Sequence, residues 1–389
     1  MIAPTALAKP PVVQLNSLLS GGGTDDQCCK LAAGLRRRGW PVCVAGPEGR
    51  DFSKVLRTLD VPLADLGSSG PLKWRTIFRT ARILRAQKAR VLHGHHGRDY
   101  WPAVLAARLS GVRPKLVLTR HLAKSPGSPA SRRYLLACCD LLVAVSEATA
   151  KILRDGSFEP DAIEEERRRR LPMRGDHSKI KVVHGGIDTD QFRPFDASAL
   201  RAGWGLEPNH FAFAVVGGYG PPRGKGQREF LRAAAAAHKE IPDARFLIIG
   251  RGGLKGVLED DIVRLGLEGK AWLTPYCHDM PSAMNAIDCL VHPAIGTESF
   301  GLVVCEAFSC GKPALAASLD GIPEAFAMGG FGQLFKPESV GEMGGLMRTW
   351  AVRPRPGMPE RERLWRQIAE KCGLDRMAGE IERLYLGLL

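Results

Sequence analysis

The stretch richest in chemistry is Glu298-Ser-Phe-Gly-Leu-Val-Val-Cys-Glu306, two carboxylates separated by seven residues. Pro293 and Gly296 close an apolar run and open a loop, so Glu298 belongs to that loop. The run from Phe300–Gly301 onward predicts a helix, which puts Glu306 in its second turn. A helix start offers unpaired N–H groups and the positive end of a dipole, both suited to a phosphate. Gly301 lets a ligand approach the backbone closely. The spacing describes a diphosphate held at a helix start, with a carboxylate on either side to accept sugar hydroxyls. By spacing alone, two solvated glutamates flanking a helix start describe it equally well.

Histidines close other apolar runs: His95 and His96 after Val91, and His121 after Lys115. The carboxyl end of a parallel strand is where ligands bind in such sheets. Adjacent strand residues point opposite ways, so only one of His95 and His96 faces that side. His184 and His292 read as structural.

These residues need a frame to position them. Short continuous apolar runs recur along the chain. In the first half they are Val12–Asn16, Val42–Gly46, Arg90–His95, Lys115–His121, Leu141–Ser146 and Ile180–His184. In the second half they are Phe211–Gly217, Arg245–Gly250, Ala271–Tyr276, Cys289–Pro293, Pro313–Ser318 and Gly332–Phe335. Continuity without alternation marks strands buried on both faces. Helical patterns lie between most of them. Thr24–Arg38 is the clearest, with Thr24 and Gln27 spaced as a capping box and Cys28, Leu31, Ala32 and Leu35 on one face. Strand alternating with helix implies an α/β protein, with helices on both faces of a parallel sheet. Two series imply two doubly wound domains. Periodicity lapses near Asp188–Leu200, giving domains at 1–190 and 191–371, and a helix near 372–389 is expected to pack back on the first. A second break at 351–362 precedes a last helical stretch, Leu364–Leu388. The segment 157–176 carries EEE then RRRR, which reads as a solvated helix or as a binding segment.

The chain has 389 residues, 44% hydrophobic and 25% charged, which excludes a disordered, collagenous or disulfide-scaffold protein. Its net charge is +14, and all of it lies in residues 1–200, which hold 33 Lys and Arg against 19 Asp and Glu. That asymmetry points to an anionic partner for the first half: nucleic acid, a membrane surface or a phosphorylated substrate. No run approaches the ~18–20 apolar residues needed to span a bilayer. The N-terminus lacks the features of a signal peptide. The ten cysteines are scattered without a C-x-x-C pair. They read as reduced thiols of a cytoplasmic protein rather than as disulfides or zinc ligands.

Residues 298–324 continue from Glu306 as Ala307-Phe-Ser-Cys-Gly-Lys-Pro313, a strand, and Asp320-Gly-Ile-Pro-Glu324. This order resembles the retaining glycosyltransferases of family 4, whose fold is GT-B, two doubly wound Rossmann-like domains facing a cleft. The resemblance covers most of the chain. Val182–Asp188 with Phe192-Arg-Pro194 is similar to the stretch that links the domains. Ile249-Gly-Arg-Gly-Gly253 is similar to the second strand–helix turn of the donor domain, and Met280–Asp288 to the helix preceding the signature strand. Gly21-Gly22-Gly23, His93–His96, Thr119–His121 and Ala144–Glu147 resemble the ligand-side turns of the acceptor domain.

The resemblance implies roles. Glu306 would take the nucleotide ribose and Glu298 the donor sugar hydroxyls. Phe300, Gly301, Leu302, Gly250, Arg251, Gly22 and Gly23 would line the donor. His121 would lie near the donor sugar and phosphate, and His95 and His96 on the acceptor side. The phosphate-binding loop departs from the family: Gly218 stands where an Arg is usual, and the loop is about two residues longer. Arg223 and Lys225 are expected to neutralise the diphosphate instead, with a merely solvated basic loop as the alternative. The implied enzyme is a metal-independent, retaining hexosyltransferase with no cofactor. Its donor would be a UDP- or GDP-sugar, and its acceptor anionic and lipid-linked, such as a lipopolysaccharide core. It would be cytoplasmic, at the inner face of a membrane. Trp74, Trp101 and the basic segment 73–90 could touch a membrane, while Ile77, Ala81 and Leu84 there form an ordinary core-facing stripe. Three alternatives stand: a soluble-glycoside transferase or another GT-B enzyme (epimerase or phosphorylase), a nucleic-acid-binding protein, and an inactive partner subunit. The basic runs lack interleaved aromatics, against nucleic acid.

Overall fold

Branched and small apolar residues stack the chain into two all-parallel sheets. The computed structural model describes residues 9–67, 73–156, 170–275 and 277–389. In one unit, Met1–Gly186 with Leu374–Leu389, the strands are β1 Val12–Leu15, β2 Val42–Gly46, β3 Leu63–Asp65, β4 Val91–Gly94, β5 Lys115–Arg120, β6 Leu141–Ala144 and β7 Ile180–Val182. Their order is β3-β2-β1-β4-β5-β6-β7. In the other, Ile187–Gly373, they are β8 Phe211–Val216, β9 Ala244–Ile249, β10 Ala271–Leu273, β11 Cys289–His292, β12 Ala314–Ala317 and β13 Gly332–Phe335. Their order is β10-β9-β8-β11-β12-β13. Helices cover both faces of each sheet, as the paired core clusters require.

Each order runs outward in one direction and then reverses. The reversal lies between β1 and β4 in the first unit and between β8 and β11 in the second. The loops leaving those strands diverge and open a crevice at their carboxyl ends.

The chain changes unit at Gly186/Ile187 and returns at Gly373/Leu374, against 190/191 and 371/372 read from the sequence. The last helical stretch is two helices, Met358–Cys372 and Leu374–Leu388, broken at the extended Gly373. Helix Leu374–Leu388 buries Met377, Ala378, Ile381 and Tyr385 against helix Gly23–Arg37. A Cβ on Gly34 would stand 2.8 Å from that of Ala378, so glycine permits the approach. Lys9, Arg38 and Trp40 converge on Glu382 of the same helix, Arg38 at 2.7 Å and Trp40 at 2.8 Å. Burial pushes that carboxyl up, but these donors outweigh it and hold it down to about 2.

Two expectations are corrected. β3 was not foreseen, because it is three residues long and only partly buried at a sheet edge. The capping box at Thr24 is not made: the helix starts at Gly23 behind Gly22, with no side-chain cap. Gln27 instead exchanges two hydrogen bonds with the Gly186 backbone, at 2.9 and 3.0 Å. The charged segment lies, over residues 157–169, outside the described residues, as does Tyr276.

Candidate functional site

The second unit's crevice is built from the loops after β8 and β11. Residues 217–226 turn sharply, with Gly217 at φ 143°, Gly224 at 64° and Gly226 at 89°. Glycine is required at Gly226, where a Cβ would sit 2.1 Å from the Pro293 carbonyl oxygen. Gln227, 1% exposed, accepts the Lys225 N–H at 2.6 Å and pins the loop from within. Lys225 Nζ thereby reaches Glu298 Oε2 at 2.8 Å. The loop after β9 closes against the same turn: a Cβ on Gly250 would lie 2.2 Å from the Gly217 oxygen. The Tyr219 N–H donates to the Arg251 carbonyl at 3.1 Å.

Glu298 is braced from below. Its N–H donates to Asp320 Oδ2 at 3.2 Å, and its carbonyl accepts the Gly321 N–H at 3.2 Å. Its side chain is 16% exposed. Burial opposes ionisation, but Lys225 and then His292 outweigh it and hold the carboxyl below its usual range. His292 Nε2 is 3.8 Å from Glu298 Oε2. Burial above all, with Lys225 beside it, pushes this imidazole down to about 4, so it is neutral near pH 7.

Helix Leu302–Ser309 starts behind Gly301, which is left-handed at φ 92°. Leu302 and Glu306 are half-buried on that helix, Glu306 in the second turn as the spacing predicts. Phe300 is 2% exposed and packs in the hydrophobic core, so its ring is not offered to a ligand. Arg223 and Arg251 are exposed at the rim of their loops. The chain's one D-x-D sequence, Asp188-Thr189-Asp190, is used locally: Asp188 accepts from the N–H groups of Asp190 and Gln191 and from the Gln191 amide.

The first unit's crevice holds a different set. Gly21 and Gly22 are left-handed and lead into helix Gly23–Arg37, with open space around Gly21, Gly22 and Gly23. Asp25, fully buried, accepts from Asn16 at 2.9 Å, from the Gly21 N–H at 2.9 Å and from His96 Nε2 at 2.7 Å. Burial pushes Asp25 up, yet these hydrogen bonds hold it below the ordinary range. His95 lies buried, its Nδ1 3.3 Å from His121 Nε2. His93 stacks on His95 at 4.4 Å, and its ring nitrogens sit 2.6 Å from the hydroxyls of Tyr385 and Thr119. Burial pushes His93 and His121 to about 3, so the array is uncharged near neutral pH. His95 and His96 thus differ as alternation predicts, one inward and one half-exposed. Sequence reading gave no role to Asp25, Asp320 or Tyr385 and read His292 as structural. Of these, Asp25, four residues after Gly21, and Asp320, inside the 298–324 stretch, carried a local signal.

Two doubly wound units of this order, with the Glu298–Glu306 signature at the second switch point, define a GT-B protein. "Glycosyltransferase Family 4" matches residues 21–165, and "Glycosyl transferases group 1" matches residues 200–369. The chain belongs to the family 4-like GT-B glycosyltransferases. It is 37% identical over 174 residues to D-inositol 3-phosphate glycosyltransferase of Mycobacterium sp. strain KMS, a match spanning 43% of this chain and 38% of that protein. The Mycobacterium tuberculosis H37Ra protein of the same name is 36% identical over 187 residues, 46% of this chain and 38% of that one. The chain thus spans well under half the length of these relatives. Among solved structures it resembles Anabaena Alr3699/HepE in complex with UDP and glucose, with a TM-score of 0.78, 20% identity, and coverage of 98% and 100%. A Rickettsia africae glycosyltransferase gives 0.79, 16% identity, and coverage of 97% and 98%. The lipopolysaccharide outer core galactosyltransferase WaaB gives 0.69, 13% identity, and coverage of 97% and 99%.

Proposed function

We propose that this chain moves a hexose from a nucleoside diphosphate sugar to a hydroxyl of an anionic acceptor, with retention and without a divalent metal. The observation that carries the reading is the Lys225–Glu298 contact at the second switch point, beside a helix start at Gly301. Glu298 would accept the sugar hydroxyls and Glu306 those of the ribose. The bond from the anomeric carbon to the diphosphate breaks as the bond to the acceptor oxygen forms, charge grows on the diphosphate, and the acceptor's hydroxyl proton passes to the departing phosphate oxygen. Arg223, Lys225 and the helix N-terminus would stabilise that charge. They would serve in place of a metal, so EDTA should leave the rate unchanged; a loss reversed by Mg²⁺ would refute that part. His121, held by His95, would face the donor, and His96 the acceptor.

Anabaena Alr3699/HepE was solved with UDP-glucose, which makes UDP-glucose the first donor to test, followed by GDP- and ADP-glucose. Thermal unfolding should shift upward with one of them, by about 2.7 kcal/mol at a hundred times Kd. Labelled product analysis then separates transfer from epimerisation and phosphorolysis. If no nucleotide sugar stabilises the protein, the proposal fails.

For the acceptor, two readings have support. The first unit carries 34 Lys and Arg against 19 Asp and Glu, a net of +15, while the second is at −1. The relatives' name, D-inositol 3-phosphate glycosyltransferase, favours a small phosphorylated polyol. Helix Lys73–Ala86 favours a lipid-linked acceptor at the cytoplasmic face of a membrane. It buries Ile77, Ala81 and Leu84 but leaves Trp74 and Phe78, one turn apart, each 61% exposed beside Arg75 and Arg82. No helix among the described residues is long and apolar enough to cross a membrane. Cosedimentation with phosphatidylglycerol vesicles, but not phosphatidylcholine ones, is the expected result; equal binding to both refutes the membrane reading.

A further inference from the structure

His292 ends β11 with 3% of its side chain exposed, and neither ring nitrogen has a hydrogen-bond partner among the described residues. Buried polar atoms are almost always paired, so an unpaired pair of them asks for a reason. The nearest carboxylate is Glu298. Its Oε2 is 2.8 Å from Lys225 Nζ and 3.8 Å from His292 Nε2, so two nitrogens converge on one oxygen and only one bonds it. The two are unequal in freedom. Lys225 is 42% exposed on a flexible stem. His292 is fixed in the core, and the backbone between the loops is locked by Gly226 against Pro293.

A donor diphosphate would draw Lys225 away, because two phosphate charges outweigh one carboxylate. Glu298 would then be left as a nearly buried, unpaired charge, which is costly. We propose that His292 is the second partner of Glu298, a positioning residue that takes the carboxylate through Nε2–H when Lys225 turns to the diphosphate. A neutral partner suits this stage. It fixes the carboxylate without cancelling its charge, leaving its other lone pairs for sugar hydroxyls. The inference rests on the donor-site reading above.

Three variants test it. His292→Leu should weaken UDP-glucose about tenfold by calorimetry, the value of one hydrogen bond to a charged group. UDP carries the same diphosphate and should lose a comparable factor, whereas UMP, lacking the second phosphate, should bind as before. The ligand-free melting temperature should stay level or rise, since a buried unpaired group is removed. His292→Gln, which offers an amide N–H at similar reach, should restore the diphosphate-dependent part. Equal losses for UMP and UDP, or a lower ligand-free melting temperature, would show a merely structural role and overturn the proposal. Lys225→Met supplies a reading that needs no ligand: freed of Lys225, Glu298 should bond His292, giving a slowly exchanging, hydrogen-bonded Nε2–H proton by ¹⁵N-edited NMR that the wild type lacks. Absence of that signal overturns the inference. If the wild type binds neither UDP nor UDP-glucose, the UDP-donor reading fails instead, and the NMR comparison still decides the role of His292.

Discussion

The two units share one topology and put opposite chemistry at the same point in it. In each, the sheet reverses its order between the first and the fourth strand of its series, and a paired carboxylate sits just past those strands, on a loop in the second unit and in the first turn of helix Gly23–Arg37 in the first. In the second unit the pair is Glu298 with Lys225, at a surface where the lysine is 42% exposed. In the first it is Asp25 with His96, and Asp25 is fully buried. One site pairs its carboxylate with a lysine on an exposed, flexible stem. The other offers a neutral imidazole array fixed from behind. Topology therefore places a site, and only the side chains on its loops say what the site can hold.

The units also differ in what holds them together. The second closes on its own continuous chain. The first depends on sixteen residues returning from the far end of the sequence, Leu374–Leu389. Truncation before Leu374 should break the comparison hardest. It strips Met377, Ile381 and Tyr385 from the core, at about 2–5 kcal/mol each. That approaches the whole stability of a domain, about 5–15 kcal/mol. Differential scanning calorimetry should then show one transition where the full chain shows two components; a truncated chain with an intact first component would contradict the role given to that helix.

Next in size is Lys225→Ala. Losing a preorganised cation at a developing diphosphate charge should slow transfer by about 10²–10³-fold, with the first unit's unfolding unchanged. A rate within threefold of wild type would return loop 217–226 to an ordinary solvated turn.

Mild acid should then separate the units. His93 and His95 are buried and neutral, with pKa values driven down by burial. A folded pKa below the unfolded value near 6.5 means the unfolded state binds more protons below that pH. Stability is therefore full above about pH 6.5 and falls as pH drops, by about 1.4 kcal/mol per pH unit for each such histidine until the folded pKa is reached. The first unit has a cluster of them, while the second has His292 and His210, which lie apart. Hydrogen exchange at pH 5 against pH 7 should rise more in β4 and β5 than in β8 and β11. Equal increases would mean the array is not the acid-sensitive element.

The smallest effect sharpens the charge contrast. Trp74→Ser with Phe78→Ser touches no core contact, so stability should move by less than about 0.5 kcal/mol. Binding to phosphatidylglycerol vesicles should drop severalfold. Unchanged binding would assign vesicle affinity to the diffuse +15 charge instead of to the helix.

The sequence by itself determined the class of fold, both series of buried strands except β3, and the carboxylate signature with the helix that carries Glu306. These are local facts: continuous apolar runs, a glycine before a helix, a seven-residue spacing. It also located the charge asymmetry, because composition needs no coordinates. Only the tertiary structure decided which groups meet. Lys225 and Glu298 are 73 residues apart, His93 and Tyr385 are 292 apart, and no periodicity links such pairs. It moved the Phe300 ring into the core and Gln27 from a helix cap to a long-range tie, and it left His292, read as structural, without a hydrogen bond among the described residues. The physical reason is the same in each case. Strand and helix follow from neighbours along the chain, whereas burial, hydrogen bonding and charge pairing depend on neighbours that only sheet order brings together.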